Sequence, residues 1–128
     1  MLQLAYLSES TEPYPDVRAL AEQASPRNAA EEITGVLLHR SGYYLQVLEG
    51  PKEVVEDAFL RIIGDDRHER LQLLSRKIVT GRQFGTWLMN PIWDRQNKQT
   101  AIDHVRELIL SAPHELRAIF EARFGNSS

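Results

Sequence analysis

The sequence predicts an α+β fold of the ferredoxin-like type, in which a β-α-β-β-α-β order is followed by a fifth strand and two helices. Three observations support this fold: apolar residues alternate along short segments, a tight turn joins two of these segments, and helical periodicity separates the others. The middle segments are apolar on both faces, so the sheet needs a cover on each face. We expect the two crossover helices to cover one face, and the C-terminal helices, alone or with a partner subunit, to cover the other.

The first half of the chain contains three predicted strands and one predicted helix. Alternating apolar residues predict a strand over 2–7, and a proline-rich turn ends it. A carboxylate cap and an apolar stripe at helical spacing predict a helix over 16–24. The segments 33–40 and 43–48 are predicted strands, because Ser41-Gly42 between them is a typical hairpin turn.

The second half begins with the other crossover helix. Pro51 is tolerated in the first turn of this helix, and Gly64 is a suitable C-terminal cap. Apolar patterning then predicts strands over 71–79 and 86–90. Two amphipathic helices follow, one on each side of Pro113.

Composition and charge exclude several classes of protein. The chain has 128 residues, of which 42% are hydrophobic and 26% charged, which suits one globular domain. A net charge of -3 argues against nucleic-acid binding by phosphate neutralisation. The absence of cysteine excludes disulfides, thiolate catalysis and cysteine-ligated zinc. Without a signal peptide or an apolar run of ~18 residues, we expect a cytoplasmic protein that does not enter a membrane.

The motifs of common enzymes are absent, so we do not expect an enzyme. The chain has no glycine-rich phosphate loop and no G-x-S-x-G motif, and its four histidines lack the paired spacing of a metal site. Glu49, which precedes Gly50, is interpreted as a turn residue rather than a general base.

Three polar residues stand out in the sequence, two of them at positions where apolar residues are expected. Gln46 lies in mid-strand with apolar neighbours on both sides, and burying an unpaired amide costs about 1–3 kcal/mol. It is either a core glutamine bonded to the backbone or a polar contact to a bound ligand. Tyr6 is either an ordinary core tyrosine or a neighbour of Gln46 across two strands. Asn28, at the end of the first predicted helix, has helix capping as its structural interpretation.

Two further groups have a structural interpretation beside a functional one. Trp87 and Met89 lie two residues apart on a predicted strand, so they face the same way, and core packing accounts for both. A charged run at the end of the second predicted helix is typical of a solvated surface. Its residues are Arg61, Asp65, Asp66, Arg67 and His68.

Five separated motifs favour the functional interpretation of these residues over the structural one. They are Leu4-Ala5-Tyr6-Leu7-Ser8, Asn28 before Ile33-Thr34-Gly35, Leu45-Gln46-Val47-Leu48-Glu49-Gly50, Asp65-Asp66-Arg67-His68 and Phe84-Gly85-Thr86-Trp87-Leu88-Met89. In residue type, order and spacing they resemble the BLUF family, the blue-light sensors that use flavin. The resemblance covers about residues 1–92 and leaves 93–128 as a C-terminal helical extension of the same structural unit. Arg27 departs from the pattern, because many members carry Asn or His there.

The resemblance implies a flavin, FAD or alternatively FMN, between the two crossover helices. A flat apolar slot with a few polar contacts is the usual form of such a site. The residues implied to bind the flavin are Tyr6, Leu20, Asn28, Gln46, Phe59, Arg61, Ile62, Asp65, Arg67 and His68.

The resemblance also implies a photochemical mechanism. Tyr6 is the implied electron and proton donor, and Gln46 relays the proton and then rotates or tautomerises. Trp87, Met89 and the C-terminal helices would pass the change to a downstream regulatory protein, and we expect a homodimer or larger oligomer. Without the resemblance, the best alternative is a regulatory module that binds a small metabolite on a ferredoxin-like sheet.

Overall fold

A computed structural model describes residues 1–12, 33–83, 88–91 and 95–125 of the chain. The described elements are β1 (Leu2–Ser10), β2 (Thr34–Arg40), β3 (Tyr43–Gly50), α1 (Lys52–Ile63), β4 (His68–Ile78), β5 (Leu88–Pro91), α2 (Arg95–Leu108), α3 (His114–Phe120) and a π-helical turn (Glu121–Gly125). The helix predicted over 16–24 lies outside the described residues. The element α1 is therefore the second of the two predicted crossover helices.

The five strands form one sheet in the order β4-β1-β3-β2-β5. Strand β1 pairs antiparallel with β3 and β4, and β2 pairs antiparallel with β3. Strand β5 is added at the edge, parallel to β2. The order of the first four strands is that of a ferredoxin-like sheet, so the predicted fold class and the added fifth strand are confirmed.

The sheet buries apolar side chains on both faces. One face, which we call the α1 face, packs against α1 through Leu2, Leu4, Ile33, Leu37, Tyr44, Leu48, Val55 and Ala58. The opposite face, which we call the C-terminal face, packs against the helices after β5. Its cluster contains Ala5, Leu7, Val36, Leu38, Leu45, Val47 and Leu74 from the sheet, together with Ala101, Ile102, Val105, Leu108, Ile109, Phe120 and Phe124. The prediction that the C-terminal helices cover the second face is therefore confirmed.

Polar contacts add to this packing between the C-terminal helices and the sheet. The Lys77 ammonium donates a hydrogen bond to the last carbonyl of α2, on Leu108, at 2.8 Å. The Arg40 guanidinium at the end of β2 donates to the carbonyl of Phe124 at 3.1 Å. Arg123 lies over the ring of Tyr43, 4.8 Å from its centroid. None of the helices among the described residues is long and apolar enough to cross a membrane.

Several element boundaries differ from the sequence-based prediction, and β1, for example, continues to Ser10 rather than ending at residue 7. Strand β4 begins at His68, not at residue 71. Its pairing with β1 is interrupted twice, and Arg70 adopts a φ of 53°. These irregularities break the simple alternation that marks a strand in a sequence. Strand β3 continues to Gly50, so the interpretation of Glu49 as a turn residue is wrong. Glu49 instead pairs with residues on both neighbouring strands.

Candidate functional site

Tyr6 and Gln46 lie directly opposite each other on the adjacent strands β1 and β3. The Tyr6 hydroxyl donates a hydrogen bond to Gln46 Oε1. Both side chains are buried, with 3% of Tyr6 and 8% of Gln46 exposed. The structure therefore brings together two of the residues that the sequence singled out.

The strand register places this pair in the middle of the α1 face. Side chains alternate between the two faces of a strand, so residues 4, 6 and 8 of β1 share one face. Gln46 lies between Tyr6 on one neighbouring strand and Leu37 on the other. Since Leu37 offers no polar atom in its side chain, the Gln46 amide finds its partner in Tyr6.

Burial controls the protonation of the phenol. Desolvation raises the pKa of Tyr6 well above its usual range, and the nearby Asp65 carboxylate and Tyr44 raise it further. The hydroxyl therefore keeps its proton throughout the physiological pH range. The hydroxyl donates to Gln46, so a proton that leaves Tyr6 can move directly to Gln46 along this hydrogen bond.

His68 connects three elements beside the pair. Its Nε2 lies 2.6 Å from the carbonyl oxygen of Ile62, and its Nδ1 lies 2.7 Å from the Ser8 hydroxyl. A carbonyl oxygen only accepts, so Nε2 carries a hydrogen and donates it to Ile62, while Nδ1 and the Ser8 hydroxyl share the second hydrogen bond. The imidazole ring is 6.1 Å from the ring of Tyr6. His68 thus holds the end of α1 and the start of β4 against β1.

An ion pair stands near the same end of α1. The Asp65 carboxylate accepts hydrogen bonds from the backbone N–H and the Nε of Arg67, both at 2.9 Å, and from its terminal nitrogen. The Arg67 guanidinium is the main reason that the pKa of Asp65 is held below its usual range. Thr11 fixes this turn through its backbone N–H, which donates to the Arg67 carbonyl at 3.1 Å. The turn therefore presents an oppositely charged pair beside the α1 face, since the lowered pKa of Asp65 favours its carboxylate form.

Helix α1 contributes two apolar residues next to Tyr6. Phe59 and Ile62 pack against the cluster of the α1 face, and both are only half-buried. The rings of Phe59 and Tyr6 are tilted by 51° with centroids 5.8 Å apart. Arg61, in the last turn of the helix, is exposed.

Three of the predicted site residues, Leu20, Asn28 and Trp87, lie outside the described residues, and so does Arg27, the departure from the family pattern. Met89 belongs to β5. Their roles stay predictions.

Two residues of this face were not singled out from the sequence. Ser8 bonds His68, and the ring of Tyr44 lies 6.3 Å from the ring of His68 at an angle of 82°. The signal was present, because Ser8 follows Tyr6 by two residues and Tyr44 precedes Gln46 by two. Strand alternation places each pair on one face of its strand, and the pairing of β1 with β3 places both pairs on the same face of the sheet.

Comparison with known proteins identifies the family. The family model described as BLUF, sensors of blue-light using FAD, matches residues 1–90. The photoactivated adenylate cyclase subunit alpha of Euglena gracilis is 38% identical over 91 residues, which cover 68% of this chain and 9% of that protein. The chain spans only 8% to 11% of the length of the first curated relatives that it matches.

Solved structures share the fold. The dark-state structure of BlrB, a BLUF protein, has a TM-score of 0.71 and 25% identity, and covers 94% of this chain and 92% of its own. Klebsiella pneumoniae BlrP1 with FMN and cyclic diGMP has a TM-score of 0.69 and 31% identity, covering 94% and 34%. The chain therefore belongs to the BLUF family of blue-light sensors, and its matched segment is a flavin-binding sensor domain.

Proposed function

We propose that the chain is a blue-light photoreceptor in which Tyr6 and Gln46 carry the primary response. The observation that carries this proposal is the buried hydrogen bond from the Tyr6 hydroxyl to Gln46 Oε1. It joins a redox-active phenol to an amide that has both donors and an acceptor. A core that needed only stability would place apolar residues at these two positions.

The chemistry of the α1 face fits a flavin. Among the described residues, Tyr6 bonds the Gln46 side chain, and it uses only the amide oxygen. The amide nitrogen keeps two N–H donors for an acceptor such as a flavin carbonyl. Phe59 and Ile62 are half-buried, so each keeps apolar surface for a flat ring. An apolar wall beside a few directed polar groups is what a flavin ring requires.

Charged residues at the end of α1 are proposed to hold the rest of the cofactor. Arg61, Arg67 and His68 meet the ribityl chain or phosphate, and Asp65 orients the Arg67 guanidinium. Leu20 is proposed to complete the apolar wall, and Asn28 to bond the polar edge of the ring. We propose FAD as the cofactor. FMN is the alternative, because these residues address the parts that the two flavins share.

When bound, the flavin supplies blue-light absorption and an oxidising excited state. Tyr6 is the donor, and its proton has one direct path, along the hydrogen bond to Gln46 Oε1. Rotation or tautomerisation of the Gln46 amide then exchanges donors for acceptors without a large movement of heavy atoms. The hydrogen bonding around the site changes, which is the proposed origin of a small red shift in absorption.

The output is proposed to leave the domain through β5 and the C-terminal helices. Residues 1–92 would form the photosensor and 93–128 the extension that contacts a downstream regulatory protein or a second copy of the chain. The side chains proposed to respond first are Trp87 and Met89. Contacts between the C-terminal helices and the sheet, such as that of Arg40 with Phe124, support a route through the C-terminal face.

A light-minus-dark absorption spectrum of the purified protein, loaded with FAD, tests the proposal. We expect a yellow protein whose flavin bands shift reversibly to the red under blue light and recover in darkness. A yellow protein without a shift would contradict the photochemical role. A colourless protein that does not take up added FAD would support the small-metabolite module instead.

A further inference from the structure

A row of polar residues crosses the C-terminal face at one end of the sheet. Gln3 on β1 and Thr34 on β2 are the direct cross-strand partners of Glu49 on β3. Gln3 and Glu49 are fully buried, and Thr34 is 6% exposed. The neighbouring row, formed by Ala5, Val47 and Val36, is entirely apolar.

Two residues of the segment after β4, Arg82 and Gln83, form hydrogen bonds with this row. The Gln3 amide and the backbone N–H of Gln83 both donate to Glu49 Oε2, at 2.7 Å and 2.8 Å. The Arg82 guanidinium donates to the Thr34 hydroxyl at 2.7 Å and to the carbonyl oxygen of Glu49 at 3.0 Å. Because Gln3 also donates to Gln83 Oε1 at 3.3 Å, Arg82 and Gln83 are hydrogen-bonded to β1, β2 and β3.

The chemistry of this contact favours a fixed geometry over stability. A buried carboxylate requires hydrogen bonds to offset its desolvation, and an apolar residue of similar volume is often no less stabilising. Hydrogen bonds to a charged group are short and directional. Glu49 therefore holds Gln83 at one position on the sheet, which an apolar residue at 49 would not do.

The location of this contact links the proposed photochemical pair to the edge strand. Glu49 follows Gln46 by three residues on β3. Thr34 precedes Gly35, which pairs with Leu88 at the start of β5. The segment of Arg82 and Gln83 leads along the chain towards the same strand.

We propose that Glu49 is a positioning residue that fastens the β4–β5 connection to β3, so that a change at Gln46 alters the pairing of β5. This inference rests on the proposed function of Gln46. Glu49 lies on the face opposite to Tyr6 and Gln46, so it acts on the transmission of the change and not on the photochemistry.

Amide hydrogen exchange of the FAD-loaded chain, in darkness and under blue light, tests this role. In Glu49→Leu we expect the Gln83 amide to exchange roughly tenfold faster or more in darkness, since it loses a charged acceptor. We also expect the light-dark difference in exchange across Leu88–Asn90 to disappear while the flavin red shift is retained. Glu49→Gln is the matched control: its amide oxygen is uncharged but can accept the same two hydrogen bonds, so it should speed exchange at Gln83 less than Glu49→Leu does and should retain the light-dark difference at β5.

Arg82→Ala is a second variant, in which Glu49 and its hydrogen bonds from Gln3 and Gln83 are kept. It should speed exchange at Gln83 and weaken the light-dark difference at β5, and it decides the question alone if Glu49→Leu does not fold. Native exchange at Gln83 together with an undiminished light-dark difference at β5 in the folded variants would overturn the proposal. A native chain without a red shift would instead contradict the proposed function, and dark exchange at Gln83 keeps the two failures distinguishable.

Discussion

The Tyr6 hydroxyl donates its hydrogen bond to Gln46 from the directly opposite position on the neighbouring strand. Cross-strand neighbours are held in place by the backbone hydrogen bonds of the sheet, so this contact does not depend on a flexible loop. Burial keeps the phenol protonated by raising its pKa. A reorientation of the Gln46 amide therefore alters the hydrogen bond of Tyr6, and loss of the Tyr6 proton alters that of Gln46.

Replacing Tyr6 with Phe should abolish the light-induced red shift while preserving flavin binding. The substitution removes the hydroxyl that donates to Gln46 and keeps the ring that packs against Phe59. The measurement is the light-minus-dark spectrum of the FAD-loaded protein. Tyr44→Phe is the control, since Tyr44 faces the same side but does not bond Gln46, and it should retain the shift. A full shift in Tyr6→Phe would remove Tyr6 as the donor.

Gln46→Leu should also lose the red shift, and it should destabilise the fold in darkness. The Tyr6 hydroxyl would be left buried without its acceptor, which costs about 1–3 kcal/mol. Adding Tyr6→Phe removes that unpaired hydroxyl, so the double variant should lose less stability than the sum of the two single variants. Urea unfolding of the four proteins measures this coupling. Strictly additive losses would show that the hydrogen bond makes no net contribution.

The strands and their faces could be predicted because alternation is a local property of the sequence. The hairpin at Ser41-Gly42 sets the pairing of β2 with β3, and the apolar pattern then decides which side chains reach each cover. The neighbours Leu45 and Gln46, for example, must point to opposite faces. Placing Gln46 beside Tyr6 needed only one further step, the pairing of β1 with β3.

The start of β4 and the burial of Glu49 could not be predicted in the same way. The residues of β4 depart from alternation because the strand is irregular where it meets β1, and that irregularity depends on tertiary pairing. Glu49 is buried because Gln3 and Gln83 supply donors from distant parts of the chain. Neither partner is visible in the local sequence around Glu49.

Alkaline pH should destabilise the protein from about pH 10 upwards, the ordinary pKa of a phenol in an unfolded chain. Burial raises the pKa of Tyr6 in the folded state, so above that pH the unfolded state has lost a proton that the folded state still holds. The stabilisation is fully present below this point and declines as the pH rises. Urea unfolding at pH values on both sides of about 10 measures the decline.

Tyr6→Phe is the matched control for this pH dependence. Its free energy of unfolding should fall less steeply at alkaline pH, with the remaining decline due partly to Tyr44, whose pKa is also raised by burial. Equal slopes in the two proteins would mean that the Tyr6 phenol ionises as readily in the folded state as in the unfolded state.

Truncating Phe120 should destabilise the sheet as well as the C-terminal helices. Phe120 is fully buried on the C-terminal face and stacks on Phe124, with ring centroids 6.2 Å apart. Phe120→Ala should cost about 3–5 kcal/mol of unfolding free energy, because it leaves a cavity in that core.

Leu110→Ala is the control: Leu110 is 66% exposed, and its truncation should change stability by no more than about 0.5 kcal/mol. Circular dichroism and tryptophan fluorescence during urea unfolding should give one shared transition in each variant. Separate transitions in Phe120→Ala would show that the helices and the sheet unfold independently, which would contradict a single core spanning both.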